Sequence, residues 1–159
     1  MGKTNSLQAL LIILSVVTIL QLVPVDGKWL LWRPNLLLIV MITWMLYFPD
    51  QYGIEFSVML GVLADFIFGT NLGFYVLVFT LCGAVVAVLH RVVAYLELIH
   101  QAVLVSLLAL AVECLKAWAN IILDKPVFWQ HVPYIVLASL LFWLPLDRLV
   151  KAVHRWQRQ

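Results

Sequence analysis

Apolar segments recur from one end of the chain to the other, and they restrict the fold more than any motif does. Hydrophobic residues make up 65% of the 159 residues and charged residues only 11%, whereas a soluble domain carries roughly 25% charged residues. The mean hydropathy is +1.04. Because a membrane-spanning helix needs about 20 apolar residues, this length accommodates at most about six spans joined by short loops. The sequence therefore predicts an all-α integral membrane protein, with about six transmembrane helices in one bundle.

Residues that favour turns divide the chain into six apolar segments within a single domain, residues 1–159. The predicted spans are about 7–23, 34–48, 54–68, 74–89, 98–123 and 132–150. The first segment also resembles a signal peptide with a small-residue cleavage site at 25–27. We favour an uncut helix, because the apolar stretch is longer than in most signal peptides and Pro24 and Asp26 crowd the site. Pro145 should kink the sixth helix.

The distribution of lysine and arginine predicts the orientation. With six spans, both termini lie on one side of the membrane. That side holds more lysine and arginine than the other: Lys3, Arg91, Arg148, Lys151, Arg155 and Arg158, against Lys28, Arg33 and Lys125. Cytoplasmic loops are enriched in these residues, so both termini are expected in the cytoplasm. The basic tail, residues 148–159, is expected to rest on anionic lipid or, alternatively, to bind a cytosolic partner.

One carboxylate lies in the middle of the third apolar segment. Gly61, Asp65, Gly69 and Gly73 follow one another at intervals of four, and residues four apart share one face of a helix. A charged side chain in a bilayer should face protein or water rather than lipid. Asp65 is therefore expected either to join two helices through hydrogen bonds or to take part in partner docking or line a cavity. Gly61 is expected at a close helix contact, and Gly69 and Gly73 in a turn rather than in helix packing.

The fifth segment carries a second intramembrane polar pair. Glu113 and Lys116 are three residues apart, close enough on a helix to neutralise each other. Alternatively, Lys116 reaches towards the interface while Glu113 turns inward, where it could form a carboxylate pair with Asp65. The chain has no phosphate-binding loop and no CxxC, HExxH or GxSxG motif. Catalysis by this chain alone is therefore not expected, and no cofactor or metal is expected either.

Three motifs in this order resemble the MreD family of bacterial rod shape-determining proteins. Arg33-Pro34-Asn35 opens the second segment, Gly61-Val62-Leu63-Ala64-Asp65 lies in the third, and Gly69-Thr70-Asn71-Leu72-Gly73 follows it. Glu113 matches an acidic residue that the family carries in its fifth span. The resemblance is strongest to the short proteobacterial members and covers nearly the whole chain.

This resemblance implies a non-enzymatic scaffold in the bacterial inner membrane. The scaffold would serve cell elongation by docking MreC, and through it would act with MreB, RodA and a class B penicillin-binding protein. The family also looks similar in fold to the substrate-binding subunits of energy-coupling-factor transporters, which supplies the alternative of a small-molecule uptake subunit. That alternative requires a polar central cavity, for which the segments offer few uncharged polar side chains. We therefore favour the scaffold.

Overall fold

The fold is entirely helical in the part of the chain that can be described. The computed structural model describes residues 2–23, 34–69, 73–93, 97–124, 130 and 132–157, without the side chains of 2–6, 154, 156 and 157. These residues hold six α-helices and no strand: α1 (Gly2–Leu22), α2 (Leu36–Tyr47), α3 (Ile54–Phe68), α4 (Phe74–Val93), α5 (Leu98–Ile122) and α6 (Val132–Gln157).

The helices coincide with the six predicted segments, and they differ mainly in length. α3 has the predicted bounds, whereas α4 continues to Val93 and α6 continues to Gln157. The extensions carry polar residues such as Arg91 and Arg155. The bounds predicted for the spans followed hydropathy, but arginine and lysine are good helix formers, so a helix continues where its apolar stretch stops. α6 also runs through Pro145 without a break.

By length and composition, α4 and α5 are the described helices that are long and apolar enough to cross a membrane. Leu7–Leu22 and α2 are shorter apolar helices. α2 has 12 residues, or about 18 Å at 1.5 Å per residue, against a hydrocarbon core of about 30 Å.

α2 is the centre of the bundle. It contacts each of the other five helices, and every residue from Leu37 to Leu46 is buried. Thr43 carries the one hydroxyl of that stretch, and this hydroxyl donates a hydrogen bond within the helix, to the carbonyl oxygen of Ile39 at 2.7 Å. A helix that is apolar on all sides is enclosed by protein or lipid, and here the neighbouring helices enclose it.

The outer surface of the bundle is apolar as well. Each of the five surrounding helices exposes large apolar side chains. They include Ile12 on α1, Phe66 on α3, Val88 on α4, Ile122 on α5 and Leu141 on α6, which are all more than 60% exposed. Soluble monomers rarely expose apolar patches that extend over several elements. The bundle therefore has the surface expected of a protein surrounded by lipid.

α3 and α4 form the most extensive helix pair, and two glycines allow the close approach. A Cβ atom on Gly61 would lie 2.6 Å from the Cα of Val76 and 2.9 Å from the carbonyl oxygen of Tyr75. A Cβ atom on Gly83 would overlap the side chain of Ser57 on α3. Glycine at such positions lets two helices touch through their backbones. This is the close contact expected of Gly61.

Candidate functional site

Asp65 holds the beginning of α4. Its Oδ2 accepts hydrogen bonds from the backbone N–H groups of Gly73 at 2.8 Å and Val76 at 3.4 Å, and its Oδ1 accepts one from Tyr75 at 2.8 Å. The side chain is only 2% exposed. The first N–H groups of a helix have no partner within the helix, and the helix dipole favours a negative charge there. Asp65 therefore acts as an N-terminal cap for α4, supplied from α3.

The local sequence explains why α4 is capped by a residue of α3 and not by the residue that precedes α4. The residue that precedes α4 is Gly73, which has no side chain to cap the helix. α3 ends at Phe68, and Gly69 follows in the left-handed conformation with φ 58°. Gly73 also has a positive φ, of 104°. Both values favour glycine, and they turn the chain so that the start of α4 meets Asp65. Gly69 and Gly73 thus lie in the connection and do not continue the helical face of Gly61.

Gly61 and Asp65 make contacts of the kind expected for the joining of two helices. Both residues face α4, and both are buried. Gly69 and Gly73, in contrast, are exposed, while Thr70, Asn71 and Leu72 between them lie outside the described residues.

Glu113 and Lys116 form an ion pair on α5. Lys116 Nζ lies 2.6 Å from Glu113 Oε1, so the first of the two expected arrangements is the observed one. Glu113 is buried, and the Lys116 side chain is 31% exposed. Glu113 thus has its own cation and Asp65 has the α4 amides, so the two carboxylates serve different partners.

The motif that opens the second segment begins the central helix. Asn35 precedes α2, and its Oδ1 accepts a hydrogen bond from the N–H of Leu38 at 3.3 Å. The carbonyl oxygen of Pro34 accepts one from Nε2 of Gln21, at the end of α1. Asn35 and Gln21 are both buried. Pro34 and Asn35 therefore tie the start of α2 to α1, while Arg33 lies outside the described residues.

A second polar cluster was not predicted from the sequence. The Tyr47 hydroxyl donates to Asp147 Oδ1 at 2.5 Å and lies 3.1 Å from Gln101 Oε1. Lys151 Nζ lies 2.7 Å from Asp147 Oδ2, and Gln101 Nε2 donates to the carbonyl of Val93 at 3.3 Å. This polar clamp (Tyr47, Gln101, Asp147, Lys151) connects α2, α4, α5 and α6.

One sequence signal could have indicated part of the polar clamp. Asp147 and Lys151 are four residues apart, which is the spacing of a helical ion pair. Lys151 also belongs to the basic tail, however, and the sequence favours an interaction of this tail with lipid. Tyr47 and Gln101 stand at the predicted ends of segments, where polar residues ordinarily meet water, so nothing in the sequence placed them beside Asp147.

Replacing Tyr47 with phenylalanine tests the polar clamp. Tyr47→Phe removes the hydroxyl that donates to a carboxylate only 2% exposed, so we expect a loss of about 1 to 2 kcal/mol of unfolding free energy. The measurement is the unfolding midpoint of the purified protein in mixed detergent and sodium dodecyl sulfate. Tyr134→Phe, at an exposed aromatic position on α6, is the control and should shift the midpoint little. Equal midpoints for Tyr47→Phe and the wild type would contradict the role of this hydroxyl.

Two further cations of the basic tail are exposed on the surface of α6. Arg148 and Arg155 are exposed, whereas Val150 is completely buried and Lys151 turns to Asp147. Arg158 lies outside the described residues. The tail is therefore helical as far as Gln157, with one side packed on the bundle and another side cationic.

Two crevices that lie among the described residues are apolar. One, of about 80 Å³, lies between α1, α2 and α6 and is lined by residues such as Val17, Ile39 and Phe142. The other is a shallow depression on α4 around Ala84 and Val88. Within the described ranges, no group of histidine, cysteine, aspartate and glutamate side chains could hold a metal ion. The polar central cavity that a small-molecule uptake subunit requires finds no support in these features.

Comparison with known proteins identifies the family of this chain. A family model described as rod shape-determining protein MreD matches residues 2–153. The rod shape-determining protein MreD of Haemophilus influenzae is 28% identical over 138 residues, which cover 86% of this chain and 85% of that protein. No solved structure matches. MreD is a family of membrane proteins, and the two long apolar helices α4 and α5 fit that class. The chain belongs to the MreD family of rod shape-determining proteins.

Proposed function

We propose that this chain is a non-enzymatic scaffold of the bacterial inner membrane that docks MreC during cell elongation. Through MreC it acts with the MreB cytoskeleton, RodA and a class B penicillin-binding protein in peptidoglycan synthesis. Membership of the MreD family supports the role in rod shape determination. The partners are a further part of the proposal, which assigns this role to one complex.

One structural observation carries the membrane part of the proposal. Large apolar side chains cover the outside of five helices, while the charged side chains at bundle depth are paired or bonded inside. A bilayer favours this arrangement, because it solvates apolar surface and penalises exposed charge. We therefore propose six passes, with α2 and α3 as short spans within the bundle.

The hydrogen bonds between helix ends support alternating passes. The last residue of α2, Tyr47, meets Gln101 in the first turn of α5 and Asp147 late in α6. At the other end, Asp65 near the end of α3 meets the first turn of α4. These contacts support a proposal in which consecutive helices run in opposite directions and both termini lie on one side. The arginines exposed on that side, Arg91, Arg148 and Arg155, favour the cytoplasm.

We assign partner docking to the α3–α4 connection and the exposed face of α3 beside it. Gly61 and Asp65 are covered by α4 and serve to position this connection. Gly69 and Gly73 are exposed at the connection, and Phe66, three residues before Gly69, is 71% exposed. Apolar side chains that face lipid can pack against a partner helix at little cost, because the helix replaces lipid of similar polarity.

Affinity purification from native membranes in mild detergent tests the proposal, combined with cross-linking from a defined position. Mass spectrometry should identify MreC and the elongation synthases among the co-purifying proteins. A photoreactive phenylalanine analogue at Phe66 should capture MreC, whereas the same analogue at Leu141 on α6 serves as the control and should capture less. Recovery of a paired ATPase and a membrane coupling subunit without MreC would instead indicate an uptake system. Recovery of MreC with equal capture from both positions would contradict the assigned surface alone.

A further inference from the structure

The outward side of α6 changes from apolar to cationic along a single stripe. Leu137, Leu141 and Leu144 are all about half to two-thirds exposed, and they follow one another at intervals of four and three residues. The same spacing continues through Arg148, Ala152 and Arg155, which are also exposed. Side chains three and four residues apart share one helical face. One stripe therefore has leucines along one part and two arginines along the next.

The polar clamp removes the third cation of this region from the surface. Lys151 Nζ lies 2.7 Å from Asp147 Oδ2 and 5.6 Å from the centre of the Tyr47 ring. Asp147 is 2% exposed, so the lysine is turned towards the bundle. Neither Arg148 nor Arg155 belongs to an ion pair within the described part of the chain. In the part of the basic tail that the structure describes, Lys151 is thus an inward cation that is neutralised, and Arg148 and Arg155 are outward cations that belong to no ion pair.

We propose that Arg148 and Arg155 form a binding surface for the phosphate headgroups of anionic phospholipids, and that Lys151 has no part in it. Leu137, Leu141 and Leu144 would then face acyl chains, and the change to arginine marks the depth of the headgroups. The two arginines are seven residues apart, or about 10 Å along the helix, so Arg148 lies nearer the leucines and Arg155 lies further towards the water. Arginine suits this role, because its planar guanidinium binds phosphate oxygens in pairs.

An anionic phospholipid is the ligand that fits both the positive charge of the two arginines and the exposed leucines beside them. An acidic protein would also be attracted by two arginines, but the stripe continues directly into leucines that lie at bilayer depth in the proposed placement. Arginine next to exposed leucine on one face is the surface that a lipid with an acyl chain and a charged headgroup complements. The inference depends on the proposed membrane placement and does not depend on the docking of MreC.

The test measures lipid preference in the purified full-length protein. Fluorescently labelled phosphatidylglycerol in neutral detergent micelles is the probe, and unlabelled phosphatidylglycerol or phosphatidylcholine is the competitor. Each cation near an anionic surface contributes about fivefold in affinity at low salt. We therefore expect Arg148→Gln/Arg155→Gln to lower the preference for phosphatidylglycerol by about 20-fold, and 0.5 M salt to reduce the preference of the wild type.

Lys151→Gln is the matched control for each arginine, because it removes one positive charge from the same helix, for which about fivefold would be lost if only net charge mattered. It should change the preference by less than about twofold. If Lys151→Gln misfolds, the double variant Asp147→Asn/Lys151→Gln, which removes both charges of the ion pair, serves as the control. Arg148→Lys/Arg155→Lys should retain most of the preference and shows that the double glutamine variant fails through charge rather than folding.

Two results would overturn the inference. An unchanged preference in Arg148→Gln/Arg155→Gln would show that these arginines do not bind the headgroups and would point to an acidic protein as their ligand instead. A loss in Lys151→Gln equal to that of a single arginine substitution would show that lipid responds to net charge and not to the outward stripe. Because the assay contains no partner protein, none of these results depends on whether MreC docks.

Discussion

Replacing Asp65 with leucine should destabilise the protein more than any other substitution considered. The carboxylate accepts hydrogen bonds from Gly73, Tyr75 and Val76 at the start of α4. Leucine would leave these three N–H groups, of which that of Tyr75 is buried and that of Val76 partly buried, without their acceptor, and would remove the charge that the helix dipole favours. At roughly 1 to 3 kcal/mol for a buried unsatisfied donor, less for the more exposed donors, and up to about 2 kcal/mol for the charge at the helix N-terminus, we expect a loss of about 3 to 5 kcal/mol.

The measurement is the unfolding free energy of the purified variant, from titration with sodium dodecyl sulfate in mixed micelles. Asp65→Asn is the matched variant, since it keeps one carbonyl acceptor in nearly the same shape and should lose less, about 1 to 2 kcal/mol. Glu55→Gln, at an exposed carboxylate in the first turn of the same helix, should have little effect. A wild-type midpoint for Asp65→Leu would refute the capping role. Recovery of MreC should fall in parallel with stability, because Asp65 positions the α3–α4 connection.

Replacing Gly61 with alanine should have the second largest effect. The added Cβ would lie 2.6 Å from the Cα of Val76 and 2.9 Å from the carbonyl oxygen of Tyr75, both of them backbone atoms. Backbone cannot move aside as the end of a flexible side chain can, so α3 and α4 must separate. Overpacking typically costs 1 to 3 kcal/mol, and we expect about 3 kcal/mol here, despite the higher helix propensity of alanine.

Gly53→Ala is the control for this substitution. Gly53 precedes α3 with a φ of −100°, and a Cβ atom there would meet nothing within 4 Å. Its unfolding midpoint should therefore stay close to that of the wild type. A cysteine pair placed across α3 and α4 gives an independent readout, because the Gly61→Ala change should slow disulfide formation between the two helices. A Gly61→Ala protein as stable as the wild type would contradict backbone contact between these helices.

The positions of the helices can be predicted from the sequence, because they depend on residues that are close together in the chain. Each described helix coincides with an apolar segment bounded by turn-forming residues, and the positive φ angles of Gly69 and Gly73 agree with the expected turn. The partner of Glu113 was also predictable, since Lys116 is one turn away on the same helix. Such features depend on residues within a few positions of one another.

Contacts between distant segments were not predictable in the same way. The sequence restricted Asp65 to facing protein or water, but it did not show that its partner is the start of α4, because this depends on how the α3–α4 connection turns. The polar clamp joins Tyr47 to Asp147, one hundred residues later, and no periodicity links them. Hydropathy also did not identify α2 as the central helix, since an enclosed helix and a helix facing lipid are equally apolar.

The enclosure of α2 has a consequence for how the bundle finds its arrangement. A helix with no polar side gives its neighbours no indication of which way it should be rotated about its axis, and in lipid the hydrophobic effect favours no particular rotation. Directional contacts are found at the two ends, where Asn35 caps the helix and the Tyr47 hydroxyl meets Asp147. These two groups therefore determine how α2 is rotated about its axis. A change at either end is therefore expected to affect the alignment of all five surrounding helices.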